Sequence, residues 1–152
     1  MSSLKNKSNE FPKEDNEVIS LYFFYKENGQ FQQAYEVLQP LETKHPDNFM
    51  ILFLLGISLY ESEEFKKSIP YLKKSIGLRP ADYLSSLTLI HSLSNDNRWN
   101  SAFKELRRFL MQKKNTKEHV LFLKLLDKGK SSFGTPEKDT IQKLMKEFKI
   151  KT

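Results

Sequence analysis

Two ten-residue stretches, GQFQQAYEVL at residues 29–38 and EEFKKSIPYL at residues 63–72, match each other at an offset of 34 residues. The offset extends to a third copy, and the recurring aromatic, small and large residues are Phe31, Ala34 and Leu38, then Phe65, Ser68 and Leu72, then Trp99, Ala102 and Leu106. It also carries Pro46 to Pro80. Self-similarity at a fixed period of this length indicates stacked repeats. The chain therefore contains three units, at residues 15–48, 49–82 and 83–116.

Each unit predicts two helices. In the first helix, unit positions 4, 7, 8 and 11 form one helical face, occupied by Val18, Leu21, Tyr22 and Tyr25, by Leu52, Leu55, Gly56 and Leu59, and by Ser86, Leu89, Ile90 and Leu93. The second helix carries the aromatic, small and large residues, and Pro46 or Pro80 ends it because proline lacks the N–H group. Pro40 and Pro70 fall inside the predicted second helices, where kinks or shortened turns are expected.

These residues resemble the tetratricopeptide repeat, a 34-residue helix–turn–helix unit with Gly or Ala near position 8, Ala near 20 and Pro near 32. The resemblance covers residues 15–116 and departs from the pattern at Ser86 and Lys114 in the third unit. It implies an all-α fold in which three helical hairpins stack as a short superhelix. Residues 1–14 form a polar segment before the repeats, and residues 117–152 are predicted to form C-terminal capping helices with a basic tail.

In the family the first helices line a concave groove, where positions 2, 5, 9 and 12 face the ligand. The candidate partner-binding residues at these positions are mostly large and apolar: Ile19, Phe23, Met50, Phe53, Ile57, Tyr60, Leu84, Leu87 and His91. A contiguous apolar surface marks a binding site, and an extended peptide or an amphipathic helix fits such a groove. Three occupants are considered: the chain's own termini, a second copy, and another protein.

The family also includes domains whose basic and Asn side chains grip the C-terminal carboxylate of heat-shock chaperones. In this chain the matching positions hold Ile19, Phe23, Leu84 and Thr88, so the carboxylate clamp is absent. Chain length, repeat number and groove chemistry resemble the small bacterial chaperones of type III secretion, which hold translocator or needle subunits before export. The resemblance implies a chaperone that sequesters an apolar helix, as a homodimer or in a heteromeric complex. The alternative is a scaffold or adaptor in a multiprotein complex.

Catalysis is not expected, because the chain has no Cys and its three His residues lie in separate segments. No metalloprotease, phosphate-loop or serine-hydrolase motif is present. The analysis therefore predicts no enzyme activity, no cofactor and no metal site. The first sixteen residues lack the apolar core of a secretory signal, and the apolar run at residues 49–60 is shorter than the roughly 20 residues of a membrane span. A cytoplasmic location is expected.

Positive charge is concentrated in the last third of the chain. Residues 1–103 hold 11 Lys and Arg against 13 Asp and Glu, whereas residues 104–152 hold 14 against 6, so a net −2 precedes a net +8. The candidate basic surface comprises Lys104, Arg107, Arg108, Lys113 and Lys114. Such a strip makes nucleic-acid binding the rival function. Scarce Arg and the absence of a recognised reader motif favour protein binding instead.

The terminal segment presents a second use for that charge. Ile141, Leu144, Met145 and Phe148 share one helical face, and Lys143, Lys146 and Lys149 flank it. A basic amphipathic helix of this kind can lie on a membrane surface. In a repeat array it can also cap the last open face.

Overall fold

The computed structural model describes residues 11–112 together with Lys143 and Lys146. Residues 11–112 form six α-helices, which are α1 (Lys13–Glu27), α2 (Phe31–Lys44), α3 (Phe49–Glu61), α4 (Phe65–Leu78), α5 (Tyr83–Asn95) and α6 (Trp99–Met111). Each helix packs on the next along the chain, and α3 also contacts α5. The described residues contain no strand. The fold is therefore all-α, with three stacked hairpins at the predicted period.

The turn inside each hairpin repeats one backbone conformation. Gly29, Glu63 and Asn97, spaced 34 residues apart, have φ of 72°, 61° and 58°. The N–H of the following residue bonds to the carbonyl five residues back, from Gln30 to Tyr25, Glu64 to Leu59 and Arg98 to Leu93, each at 2.8 Å. This is the Schellman motif, in which a left-handed residue satisfies the last carbonyl groups of a helix. Only the first turn has the glycine that this conformation favours.

The turns between hairpins are also equivalent. Asn48 and Asp82, again 34 residues apart, cap α3 and α5 by accepting a hydrogen bond from the backbone N–H three residues later, at 3.1 and 2.9 Å. Pro46 and Pro80 lie in these turns, two residues after α2 and α4 end. Both predicted stops are therefore confirmed. Side-chain acceptors at this position satisfy N–H groups that have no partner within the helix.

Pro40 and Pro70 lie inside α2 and α4, and the expectation of shortened turns is wrong at both sites. The two helices end at Lys44 and Leu78, which are equivalent residues in the repeat. Both prolines are exposed, and so are Glu36 and Lys66 four residues before them. Proline leaves the carbonyl four residues earlier without its helical partner. On the exposed side of a helix, water can fill that role.

The core consists of two clusters of buried side chains. The first joins α1, α2 and α3 through Tyr22, Ala34, Leu38, Leu41, Ile51, Leu54 and Leu55. The second joins α4, α5 and α6 through Ile69, Leu72, Ile76, Leu87, Leu89, Ile90, Leu93, Ala102, Leu106, Phe109 and Leu110. All four predicted internal positions are buried in the second and third units. In the first unit Leu21 is 40% exposed, because no described repeat precedes α1.

The helix of the third unit ends at Met111, so Lys114 and the predicted C-terminal helices lie outside the described residues, apart from Lys143 and Lys146. Those two lysines are helical and exposed. Among the described residues, no helix is both long and apolar enough to cross a membrane.

Candidate protein-binding groove

The nine candidate groove residues, called the groove stripe below, lie on α1, α3 and α5. Phe23 and Leu84 are the most accessible, each 41% exposed. Six members are half-buried, namely Ile19, Met50, Phe53, Ile57, Tyr60 and His91. Leu87 is only 8% exposed and belongs to the second core cluster. Eight of the nine therefore keep accessible surface, whereas the internal face of α3 is buried.

The middle of the stripe is on α3, which is apolar on both sides. Leu52, Leu55 and Leu59 fill the internal face and are at most 1% exposed. On the other side the ring of Phe53 stacks on Phe49, with centroids 5.6 Å apart and an interplanar angle of 9°. The Arg79 guanidinium lies over the Phe49 ring, 4.2 Å from its centroid, a cation–π contact. This arrangement fixes an aromatic surface at the centre of the stripe.

A polar contact joins the second and third repeats within the stripe. The Tyr60 hydroxyl lies 3.3 Å from Nδ1 of His91, and the two rings stack with centroids 6.2 Å apart. Burial lowers the pKa of His91. Burial, followed by the charge of Glu61, raises the pKa of Tyr60. Both side chains are therefore neutral at neutral pH, and Nδ1 can accept the hydroxyl proton. The stripe thus continues from α3 to α5 without adding a charge.

Tyr22 connects α1 to α3 and so positions the first part of the stripe. Its ring is fully buried and its hydroxyl donates to the carbonyl of Leu54 at 3.4 Å. The hydroxyl also accepts a hydrogen bond from Ser58 Oγ at 3.2 Å. The ring of Phe23 meets the Tyr22 ring edge-on, with centroids 5.1 Å apart. Sequence analysis placed Tyr22 on the internal face but did not predict this polar link.

A buried carboxylate closes the first hairpin, and sequence analysis missed it. Asp15 is 1% exposed, with one oxygen 2.9 Å from Lys44 Nζ and the other 3.0 Å from His45 Nε2. The hydrogen bonds from His45 and then Lys44 hold the pKa of the Asp15 carboxyl below its usual value. The equivalent positions of the second unit are Phe49 and Arg79, which make the cation–π contact. Residues at unit positions 1 and 31 therefore meet in both hairpins.

The candidate basic surface is divided by the structure. Lys104 and Arg107 are exposed on α6. Arg108 is partly buried, and its guanidinium bonds to the Glu105 carboxylate at 2.7 Å and to the Pro80 carbonyl at 3.0 Å. Its charge is therefore compensated, and it holds α6 against the turn before α5. Lys113 and Lys114 lie outside the described residues.

Metal binding has no structural basis in residues 11–112, where no cluster of three or more His, Asp or Glu side chains could hold an ion.

No protein-family model matches the sequence, and no curated protein matches it either. Several solved structures match the fold. "MamA MSR-1 C2" is 17% identical, with 86% of this chain and 76% of that chain covered and a TM-score of 0.61. "MamA 41-end from Desulfovibrio magneticus RS-1" is 17% identical, with 87% and 74% covered and a TM-score of 0.62. "MamA RS-1 ArsTM double mutant" is 16% identical, with 97% and 84% covered and a TM-score of 0.62. The likeness is one of fold, that of stacked tetratricopeptide-type hairpins.

Proposed function

We propose that this protein is a non-catalytic binding domain whose groove stripe holds an apolar or amphipathic helical segment of another protein. One observation carries the proposal: the stripe keeps accessible apolar surface on three successive first helices, although the fold has already buried the opposite face of α3. A soluble domain that leaves a contiguous apolar surface open uses it for binding. The tetratricopeptide-type fold supports protein partners in general.

The chemistry of the stripe favours an apolar partner segment. Burying half of its eight accessible side chains, at roughly 1.5–3 kcal/mol each, gives about 10 kcal/mol before the costs of ordering the complex. The two members that carry polar atoms, Tyr60 and His91, satisfy each other. An acidic peptide terminus gains little here, since the stripe has no Lys or Arg. A helix that presents residues at i, i+3, i+4 and i+7 matches the surface best.

A chaperone role is the finer part of this proposal. Its mechanism is sequestration, in which the groove covers a helix that would otherwise aggregate and then releases it to the next component. The similar solved structures bring no support for the narrower resemblance to type III secretion chaperones. A scaffold or adaptor would use the same groove but keep its partner bound. Release of the partner distinguishes the two roles.

The groove proposal is tested with two accessible residues that can be changed without opening the core. Phe23→Glu combined with Leu84→Glu places two charges in the stripe, where each must lose water when an apolar segment binds. The matched control is Leu78→Glu at the end of α4, since Leu78 is 44% exposed and lies outside the stripe. Tagged wild-type, double-variant and control proteins are used to capture partners from the native source, with washing at about 0.5 M salt to screen exposed charges.

We expect the wild type and Leu78→Glu to retain the same partner and the double variant to bind it at least about tenfold more weakly. Equal capture by all three proteins contradicts the groove proposal. Partners or nucleic acid retained only at low salt move the function to the basic side of the molecule, where Lys104 and Arg107 are exposed.

A further inference from the structure

The first helix leaves one end of the repeat array open. The open side of α1, called the end face below, carries Glu14, Glu17, Leu21, Phe24 and Asn28, which share one side of a helix at 100° per residue. Leu21 is 40% exposed. The equivalent residues of the next two repeats, Leu55 and Leu89, are 0% and 3% exposed. The same repeat position is therefore covered inside the array and bare at its end.

Phe24 makes the end face more apolar than its interior counterparts. It is 57% exposed, and the equivalent residues are Ser58 and Ser92, which are buried. Ser92 shows what normally covers this position, because its hydroxyl accepts a 2.8 Å hydrogen bond from Ser68 on the second helix of the preceding repeat. The end face is thus the surface on which a preceding helix would pack. With Phe in place of Ser, it accepts a helix that offers apolar side chains.

Charge restricts which helix can pack there. Glu14 and Glu17 are exposed beside the apolar pair on the end face. Two end faces packed on each other would bring like charges together, which disfavours a symmetric contact. The complementary partner is an amphipathic helix with Lys or Arg along its apolar stripe.

This chain contains such a segment at its other end. Lys143 and Lys146 are helical and exposed, and they fall within the predicted stripe of Ile141, Leu144, Met145 and Phe148. Residues 104–152 carry a net +8, against −2 for residues 1–103. We propose that the acidic, apolar end face of α1 docks the basic C-terminal segment of a second copy of this chain. Leu21 and Phe24 receive the apolar stripe, and Glu14 and Glu17 face the lysines.

The contact is heterologous, since two different surfaces meet. A heterologous contact leaves one free end of each kind in every complex and extends head to tail unless it closes into a ring. It uses neither Phe53 nor the rest of the groove stripe, so the groove stays available to its own partner. Assembly and partner capture are therefore separate properties of the molecule.

The experiment is sedimentation velocity of the full chain from low to high micromolar concentration, at low salt and at about 0.5 M salt. We expect the average mass to rise with concentration at low salt and to fall in high salt. Phe24→Ser installs the residue found in the other two repeats, so the fold tolerates it, and it should weaken assembly about tenfold. Glu36→Lys, on the exposed side of α2, is the control for charge reversal and should assemble like the wild type.

Charge exchange identifies the two surfaces. Glu17→Lys alone and Lys143→Glu with Lys146→Glu should each weaken assembly, and the three changes combined should restore it, because the pairs then attract in the reversed sense. A chain that is monomeric at every concentration overturns the proposal. So does a closed dimer that does not grow, or assembly that these charge reversals leave unchanged. None of these results depends on whether the groove binds its partner.

Discussion

At the scale of single residues, Gly56 marks the closest approach between α3 and α4. A Cβ atom built on Gly56 would lie 2.9 Å from Leu72 Cδ2, 3.0 Å from Leu72 Cγ and 3.3 Å from Tyr71 Cβ. Leu72 is fully buried and cannot move away freely. The small residue at this repeat position is therefore required by packing.

Gly56→Ala is expected to destabilise the protein by about 1 kcal/mol, because overpacking costs roughly 1–3 kcal/mol and the better helix propensity of Ala returns about 1 kcal/mol. Gly77→Ala is the matched control, since a Cβ on this α4 residue meets nothing within 4 Å. It should stabilise by up to about 1 kcal/mol. Urea denaturation of the two variants measures the difference, and equal shifts would show that the α3–α4 contact is loose.

Asp15 makes stability depend on acid. Its pKa is lowered in the folded state by the hydrogen bonds from His45 and Lys44, so the unfolded chain binds this proton more readily than the folded protein does. The resulting stabilisation is present above the unfolded pKa, about 3.9, and is lost as the pH falls through the folded value.

We predict that Asp15→Asn is less stable than the wild type at neutral pH but loses less stability on acidification. Urea midpoints measured at a series of pH values between neutrality and about pH 3 test this. Parallel curves for the two proteins would mean that Asp15 contributes nothing specific to acid unfolding.

At the scale of helices and turns, the hairpins use one turn geometry with three different residues. Gly29, Glu63 and Asn97 all have positive φ. A left-handed conformation costs an ordinary residue roughly 1–2 kcal/mol, and Asn tolerates it better than Glu does. Glu63, between α3 and α4, is therefore the most strained of the three turns.

Glu63→Gly should stabilise the protein by about 0.5–1 kcal/mol, because relief of the left-handed strain exceeds the extra chain entropy of Gly. Glu64→Gly, one residue later at an ordinary φ of −88°, should instead destabilise by about 0.5–1 kcal/mol. Thermal melting of the two variants gives the comparison. A loss of stability in both variants would contradict the assignment of strain to Glu63.

At the scale of the whole molecule, the three hairpins sort their first helices into two apolar faces. The internal face is buried against neighbouring helices, and the groove stripe keeps accessible surface from Phe23 on α1 to Leu84 on α5. An array of this kind gains its stability from contacts between adjacent units. Changes on the groove face should therefore act on binding more than on folding.

The variant Phe53→Glu with Ile57→Glu tests this division at the centre of the array. Both side chains are half-buried on α3, so we expect partner binding to be abolished and helicity to be retained. Circular dichroism and the capture experiment give the two readouts. Loss of helicity would place these two residues in the core and shift the register of the groove.

The sequence by itself determined the period of 34, the six helices of the described residues and the internal face of each repeat. It did so because each repeat contacts mainly its neighbours, so the same local pattern recurs in the chain. Gly56, Ser68 and Leu72 could be assigned from that pattern alone. The groove stripe also followed from it by spacing, although the burial of Leu87 did not.

Only the tertiary structure decided the features that break the repeat. The Asp15 contact with His45, the bond from Arg108 to the Pro80 carbonyl and the exposure of Phe24 at the open end have no periodic signal. Each depends on which group lies opposite a side chain after the hairpins have stacked. A pattern within one repeat specifies which side of a helix faces inward, whereas the partner on that side is set by the neighbouring repeat or by its absence.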